Sequence, residues 1–255
     1  MKTVEADGFK IKVKVDGEGT PVVILHGSGG ISEAPGLARI AEKHQTFAIE
    51  IPGFGESGHN DRSTSMRELA GTVSKTIEAL ELGQHSVIAS SASARLGLWH
   101  AIDTGSELES LVLVSPAAIL LDGVRVPTIP PSLLIRSVGT GMASPAGLTS
   151  PTIGAQEEQL LKRIFGEHRD AELEKAMATL SIPTLVIFGD EDYQVPSEVG
   201  RLYREILPKG YNILFHKAGP LIAYERPEAF ASVVLDFLEW RDEFVYSHKS
   251  TLLNP

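Results

Sequence analysis

The sequence predicts an α/β fold, a mainly parallel, doubly wound sheet with a small helical lid, and three observations predict it. Short apolar, β-branched runs recur at residues 20–25, 45–51, 86–89, 111–114, 184–188 and 211–215, as strands buried on both faces do. Helical spacing of apolar residues fills most intervals between them. One interval, 116–180, breaks the alternation with Pro127, Pro130, Pro131, Pro145 and Pro151 and contains no convincing strand.

The elements follow in order. Residues 9–15 alternate apolar and polar, Asp16-Gly17-Glu18-Gly19 turns the chain, and 20–25 continues it, so these segments read as a hairpin feeding a buried strand. A short helix is expected over 35–44, with Leu37, Ile40 and Ala41 inward, and a strand over 45–51 ends at Pro52-Gly53. A long amphipathic helix covers 64–82. The strand 86–89 runs directly into a helix over 92–104, and 111–114 is the next strand. Strand 184–188 is followed by a helix over 197–207, strand 211–215 by a last helix over 227–244. Residues 1–116 and 181–246 therefore form one core domain, 117–180 a lid inserted over the carboxyl edge of the sheet, and 247–255 a frayed tail. In the lid, Ile129, Leu133, Leu134, Ile135, Val138, Met142 and Leu148 are expected to pack on the sheet or to roof a pocket.

Composition narrows the function. The 255 residues contain no cysteine, which removes disulfides, thiol nucleophiles and cysteine-held zinc. Lys+Arg 23 against Asp+Glu 33 gives a net charge of −10, which repels phosphate backbones and anionic lipid, so neither nucleic acid nor a membrane is an expected partner. The N-terminal residues lack the apolar core of a secretory signal, and the longest apolar stretch, near 111–121, is interrupted by Ser115-Pro116. The expectation is a cytoplasmic protein acting on or binding a small molecule. No phosphate loop, dinucleotide fingerprint or metal-ligand cluster is legible, so no cofactor is expected. Oligomeric state is not legible.

On such sheets ligands bind beyond the carboxyl ends of the strands, and four motifs stand there. His26-Gly27-Ser28-Gly29-Gly30 follows the strand 20–25, and Pro52-Gly53-Phe54-Gly55-Glu56-Ser57 follows 45–51. Ala89-Ser90-Ser91-Ala92-Ser93 lies at a strand-to-helix turn. A sharp elbow there needs small residues two before and two after the serine, and an ordinary helix N-cap is the bland alternative. Gly189-Asp190-Glu191-Asp192-Tyr193-Gln194-Val195-Pro196 follows 184–188.

In this order the motifs resemble the α/β-hydrolase family, over about residues 22–238. The resemblance implies Ser91 as nucleophile, Asp192 as the triad acid and the backbone N–H groups of Ser28 and Ala92 as the oxyanion hole. It also implies a catalytic histidine in a Gly-His pair just before Glu-x-Pro-Glu. Glu225, Pro227 and Glu228 hold that register, and Pro220 occupies the histidine's place. Proline offers neither a proton acceptor nor an N–H, and serine is a weak nucleophile without an adjacent base. His216, four residues upstream, and His59, on the catalytic edge, are the candidate substitutes. His26 more often holds its loop. His100 lies nine residues after Ser91, roughly 13 Å along the helix, out of reach, and His44, His85, His168 and His248 read as solvated loop residues.

Two classes of function are therefore expected. One is an enzyme acting on a small apolar ester, lactone or carbonyl compound, by hydrolysis or by lyase or isomerase chemistry at the oxyanion hole. The other is a ligand-binding protein on a retired hydrolase scaffold.

Overall fold

A computed structural model describes residues 1–27, 30–31, 33–55, 57–124 and 151–246, apart from the side chains of 151–157, 245 and 246. Ser28, the residues expected to roof the pocket between 129 and 148, and the tail 247–255 lie outside the described residues.

Eight strands form one sheet in the order β1-β2-β4-β3-β5-β6-β7-β8. They are β1 (Lys2–Ala6), β2 (Phe9–Asp16), β3 (Pro21–Leu25), β4 (Gln45–Ile49), β5 (His85–Ser90), β6 (Leu108–Val114), β7 (Thr184–Gly189) and β8 (Gly210–Phe215). From β4 through β8 every neighbouring pair is parallel, and β1 and β2 are antiparallel additions.

The expected hairpin is corrected at its partners. β2 pairs with β1 and β4 rather than with β3. The turn that matters is Asp7-Gly8, with φ of 50° and 76°, the two left-handed residues a tight hairpin turn requires. The reason lies in the strands' faces. β2 alternates lysines with buried Ile11 and Val13, so it suits the rim. The all-apolar β3 is stable only between two covered neighbours, β4 and β5.

Helices cover both faces: α1 (Pro35–Ala41), α2 (Met66–Ala79), α3 (Ala94–Thr104), α4 (Pro151–Ile164), α5 (Ala171–Met177), α6 (Gly200–Ile206), α7 (Ile222–Glu225) and α8 (Pro227–Trp240). The period of two along each strand sends Val23, Leu25, Val87, Ala89, Leu111 and Leu113 into the core under α2 and α3. It sends Val22, Ile88, Val112, Val114, Leu185 and Ile187 into the core shared with α8. Helix α2 starts at Ser65, whose hydroxyl accepts the Glu68 N–H while Glu68 reaches back to the Thr64 N–H, a variant of the capping box. The expected helix 227–244 is α8 followed by a 3₁₀ turn at Arg241–Tyr246, and 197–207 is likewise split, a 3₁₀ turn at Ser197–Val199 preceding α6. Helix α7 has no counterpart in the sequence reading.

Between β6 and β7 the described residues contain α4 and α5 and no strand. This connection is tied to the core by Arg95 on α3. Its buried guanidinium donates to the carbonyls of Ala118, Phe165 and Glu167 and stacks on the Phe165 ring.

His85 is corrected from solvated to buried. It opens β5, and its Nε2 meets His100 Nε2 at 3.1 Å. The outer nitrogens bond the Gly83 carbonyl and the Ser74 and Thr104 hydroxyls. Burial, with the neighbouring His85 adding, pushes the His100 pKa down to about 3.

Candidate active site

Strand β5 ends at Ser90, a 3₁₀ turn covers Ser91–Ser93, and α3 begins at Ala94. Ser91 has φ of 53°. A left-handed backbone costs a non-glycine residue roughly 1–3 kcal/mol and concentrates where a side chain must be aimed. The N-cap reading of Ser91 fails on this geometry, because an N-cap has extended backbone. Small neighbours are required on both sides. Ala89 is fully buried where α3 crosses β5, and a Cβ on Gly97 would lie 2.9 Å from Ala89 Cβ. Ser93 takes the second small position and donates its hydroxyl to the His26 carbonyl at 2.6 Å.

His26 joins the ends of β3 and β4. Its Nδ1–H donates to the Gly27 carbonyl at 2.8 Å, and its Nε2 accepts the Ile51 N–H at 3.0 Å. Burial pushes its pKa down to about 4, so the ring is neutral with both nitrogens engaged. It positions the Gly27 turn and has no lone pair left for a proton.

A cavity of about 80 Å³ opens beside this turn. Its polar wall includes Ser91, Ser90, Ser115 and Gln194. Its apolar wall includes Ile24, Leu221, Tyr224 and Phe230, and Pro220 lies in the same wall. Of the eight histidines, seven lie among the described residues, and of these only His26 lines the cavity.

Asp192 follows β7. Its Oδ1 accepts the N–H groups of Gln194 and Val195 at 2.8 and 2.9 Å. Its Oδ2 is buried with no hydrogen-bond partner among the described residues, as is Ser115 Oγ. Burial raises the Asp192 pKa, against the two N–H donors and the nearby Ser115 hydroxyl. That hydroxyl is close enough to favour the carboxylate but falls short of hydrogen-bond geometry. Gly189 lets the loop after β8 cross here, since a Cβ would sit 2.1 Å from the Ala218 carbonyl oxygen.

Pro220 is buried, and Glu225 on α7 grips its two neighbours. The carboxylate accepts Gly219 N–H at 2.6 Å and Leu221 N–H at 3.2 Å. Burial raises the Glu225 pKa, and Asp192 and Glu191 add to it.

The candidate substitute bases lie elsewhere. His216 is solvent-exposed, its Nδ1 2.5 Å from Asp190 Oδ2. His59 is exposed and paired with Asp61 at 2.7 Å. Neither lines the cavity. Ala92 stands directly after Ser91 in the 3₁₀ turn. Sequence reasoning missed two groups. Ser115 has φ of 42° at the end of β6, and only its place on the carboxyl edge could have marked it. In the sequence Glu225 marks only register, while in the fold its carboxylate holds the loop.

No protein-family model matches the chain. Among curated proteins it is 22% identical to a 2-hydroxy-6-oxo-6-(2'-aminophenyl)hexa-2,4-dienoic acid hydrolase of Metapseudomonas resinovorans, covering 93% of this chain and 90% of that one. It is 26% identical to Lipase 3 of a Moraxella species, covering 88% and 78%. Among solved structures, a serine hydrolase involved in carbazole degradation superposes with a TM-score of 0.79 at 22% identity over 94% of this chain and 98% of that one. Carboxylesterase CesB from Bacillus subtilis superposes with a TM-score of 0.78 at 17% identity, covering 93% and 90%. The chain has the α/β-hydrolase fold, and these relatives and structural neighbours are hydrolases of that fold.

Proposed function

We propose that the protein is an enzyme acting at Ser91 on a small, mostly apolar ester, lactone or carbonyl compound. The observation that carries this reading is the left-handed Ser91 at a strand-to-helix turn, facing a largely apolar cavity. The substrate carbonyl lies over Ser91 with its oxygen toward the Ala92 backbone N–H, and the second expected donor, Ser28, lies outside the described residues. The apolar wall takes the acyl or ring portion. Hydrolase relatives support the class of chemistry.

Pro220 shapes the mechanism. As Ser91 Oγ bonds to the carbonyl carbon, its proton must pass to an acceptor and then to the leaving alkoxide. No imidazole with a free nitrogen faces the cavity among the described residues. Ser91 attack therefore passes its proton to water, a weak acceptor, and is slow, with binding and oxyanion stabilisation supplying the acceleration that remains. Lyase or isomerase chemistry on the same site uses the oxyanion N–H groups and needs no activated serine.

A second reading, a ligand-binding protein without turnover, is favoured by the same buried proline in the base's position. Turnover of short-chain aryl esters and lactones separates them. The enzyme reading predicts slow hydrolysis that falls at least about tenfold in Ser91→Ala. Turnover unchanged by Ser91→Ala would remove the enzyme reading and leave the binding one.

A further inference from the structure

The cavity beside Ser91 has two chemically distinct ends. At the carboxyl ends of the strands it is bordered by Ser90, Ser91, Ser115 and Gln194. From there it runs between the sheet and the helices on the α8 face. Ile24 of β3 and Ala48 of β4 form the sheet side. They alternate with Leu25 and Ile49, which face the opposite core. Leu37 of α1, Ile222 and Tyr224 of α7 and Phe230 of α8 form the helical side. This side has little room to recede. Helix α1 lies directly on α7 and α8 at Gly36, where a Cβ would come within 2.8 Å of both the Ala223 carbonyl oxygen and Phe230 Cδ1. Phe230 is fully buried. No arginine or lysine lines the cavity among the described residues. An apolar cavity of about 150 Å³ takes a benzene ring. This one, at about 80 Å³, takes about three aliphatic carbons at the same volume per atom.

We propose that the substrates are esters and related acyl compounds of short, uncharged aliphatic acids, about two to four carbons long, whose chain enters this cavity, and that Phe230 and Leu37 set the length limit. This rests on the reading of Ser91 as the reacting group. Ala92 borders a separate small cleft with Met66, Leu69 and Leu96, so a carbonyl oxygen directed at its N–H points away from the cavity. The short chain is then the part that enters, while an aryl or larger alcohol portion exceeds the space and stays outside. Each methylene that enters raises kcat/KM about fourfold, and one that no longer fits lowers it about tenfold or more. A second carboxylate on the acid would be buried unpaired, which excludes dicarboxylic acyl groups.

The test holds the leaving group constant. The full chain hydrolyses 4-nitrophenyl acetate, butyrate, hexanoate and benzoate, with spontaneous hydrolysis subtracted. From acetate to butyrate kcat/KM is expected to rise about fifteenfold, and at hexanoate and benzoate to fall at least about tenfold. Phe230→Ala raises the hexanoate-to-butyrate ratio at least about tenfold. Leu37→Ala, at a half-buried position that folding tolerates better, raises the same ratio by less. Ala48→Val fills the cavity from the sheet side with a residue suited to a strand, and moves the preference to acetate. Each readout is a ratio between two esters, so it does not depend on how much of a variant is folded. A profile that is flat or climbs through hexanoate overturns the proposal, as do ratios unchanged in both Leu37→Ala and Ala48→Val. Failure of the enzyme reading is distinguishable. Hydrolysis insensitive to Ser91→Ala removes both readings, whereas Ser91-dependent hydrolysis with no chain-length limit removes this inference alone.

Discussion

Replacing Pro220 by histidine raises the turnover of a short-chain aryl ester by at least about a hundredfold, because a positioned imidazole typically contributes 10²–10⁴-fold. The surroundings are ready for the exchange. Pro220 shares the cavity wall with Ser91, Asp192 Oδ2 has no hydrogen-bond partner among the described residues, and Glu225 fixes the backbone on both sides of residue 220. A histidine needs a carboxylate to hold its Nδ1–H and a serine hydroxyl within reach of Nε2, and both groups are present beside this loop. Comparison of kcat/KM for the two proteins checks it, with circular dichroism confirming the fold. Flat activity in a folded Pro220→His protein would mean that Ser91 or the Gly27 turn is misplaced.

Acid destabilises the protein steeply, starting near pH 6.5. His26 and His100 are held neutral by burial, with pKa values pushed down to about 4 and about 3. In the unfolded chain both titrate near 6.5, so below that pH the unfolded state binds more protons and stability falls. The contribution is fully present above pH 6.5 and is lost progressively through pH 4 and 3. At pH 5 each histidine costs about 2 kcal/mol by linkage. Asp192 and Glu225, whose pKa values are raised, take up protons earlier in the folded state and offset part of the loss. Denaturant midpoints at pH 7.5 and 5.0 measure the effect. His100→Gln is expected to remove about half of the slope, and a stability independent of pH over this range would contradict the buried, neutral assignment.

The strands of the parallel sheet were legible because each is an uninterrupted apolar run, and 184–188 and 211–215 lie within a residue of β7 and β8. β1 was not, since Lys2–Ala6 alternates charge with only Ala6 buried. Its Asp7-Gly8 signal was present in the sequence and went unread. The turn at Ser91 was legible from small residues at 89 and 93, although neither is glycine. Its left-handed φ is a property of the turn that residue identity alone does not fix. The buried pairing of His85 with His100 was not legible, because fifteen residues separate them in sequence and only the packing of α3 on β5 brings them together. Ser115 and Glu225 were hidden for a related reason. Their roles come from loops after β6 and β8 converging on the same corner.

In the proposed enzyme Ser91 is correctly aimed and lacks only a proton acceptor. The rate at which a fluorophosphonate probe modifies Ser91, mapped by peptide mass spectrometry, tests it most directly. Slow modification of the natural chain, confined to Ser91, is expected, and modification at least about a hundredfold faster in Pro220→His. Equal, fast labelling of both proteins would contradict it by revealing a base already in place, and absence of labelling in both would contradict it by showing that Ser91 is not aimed for attack.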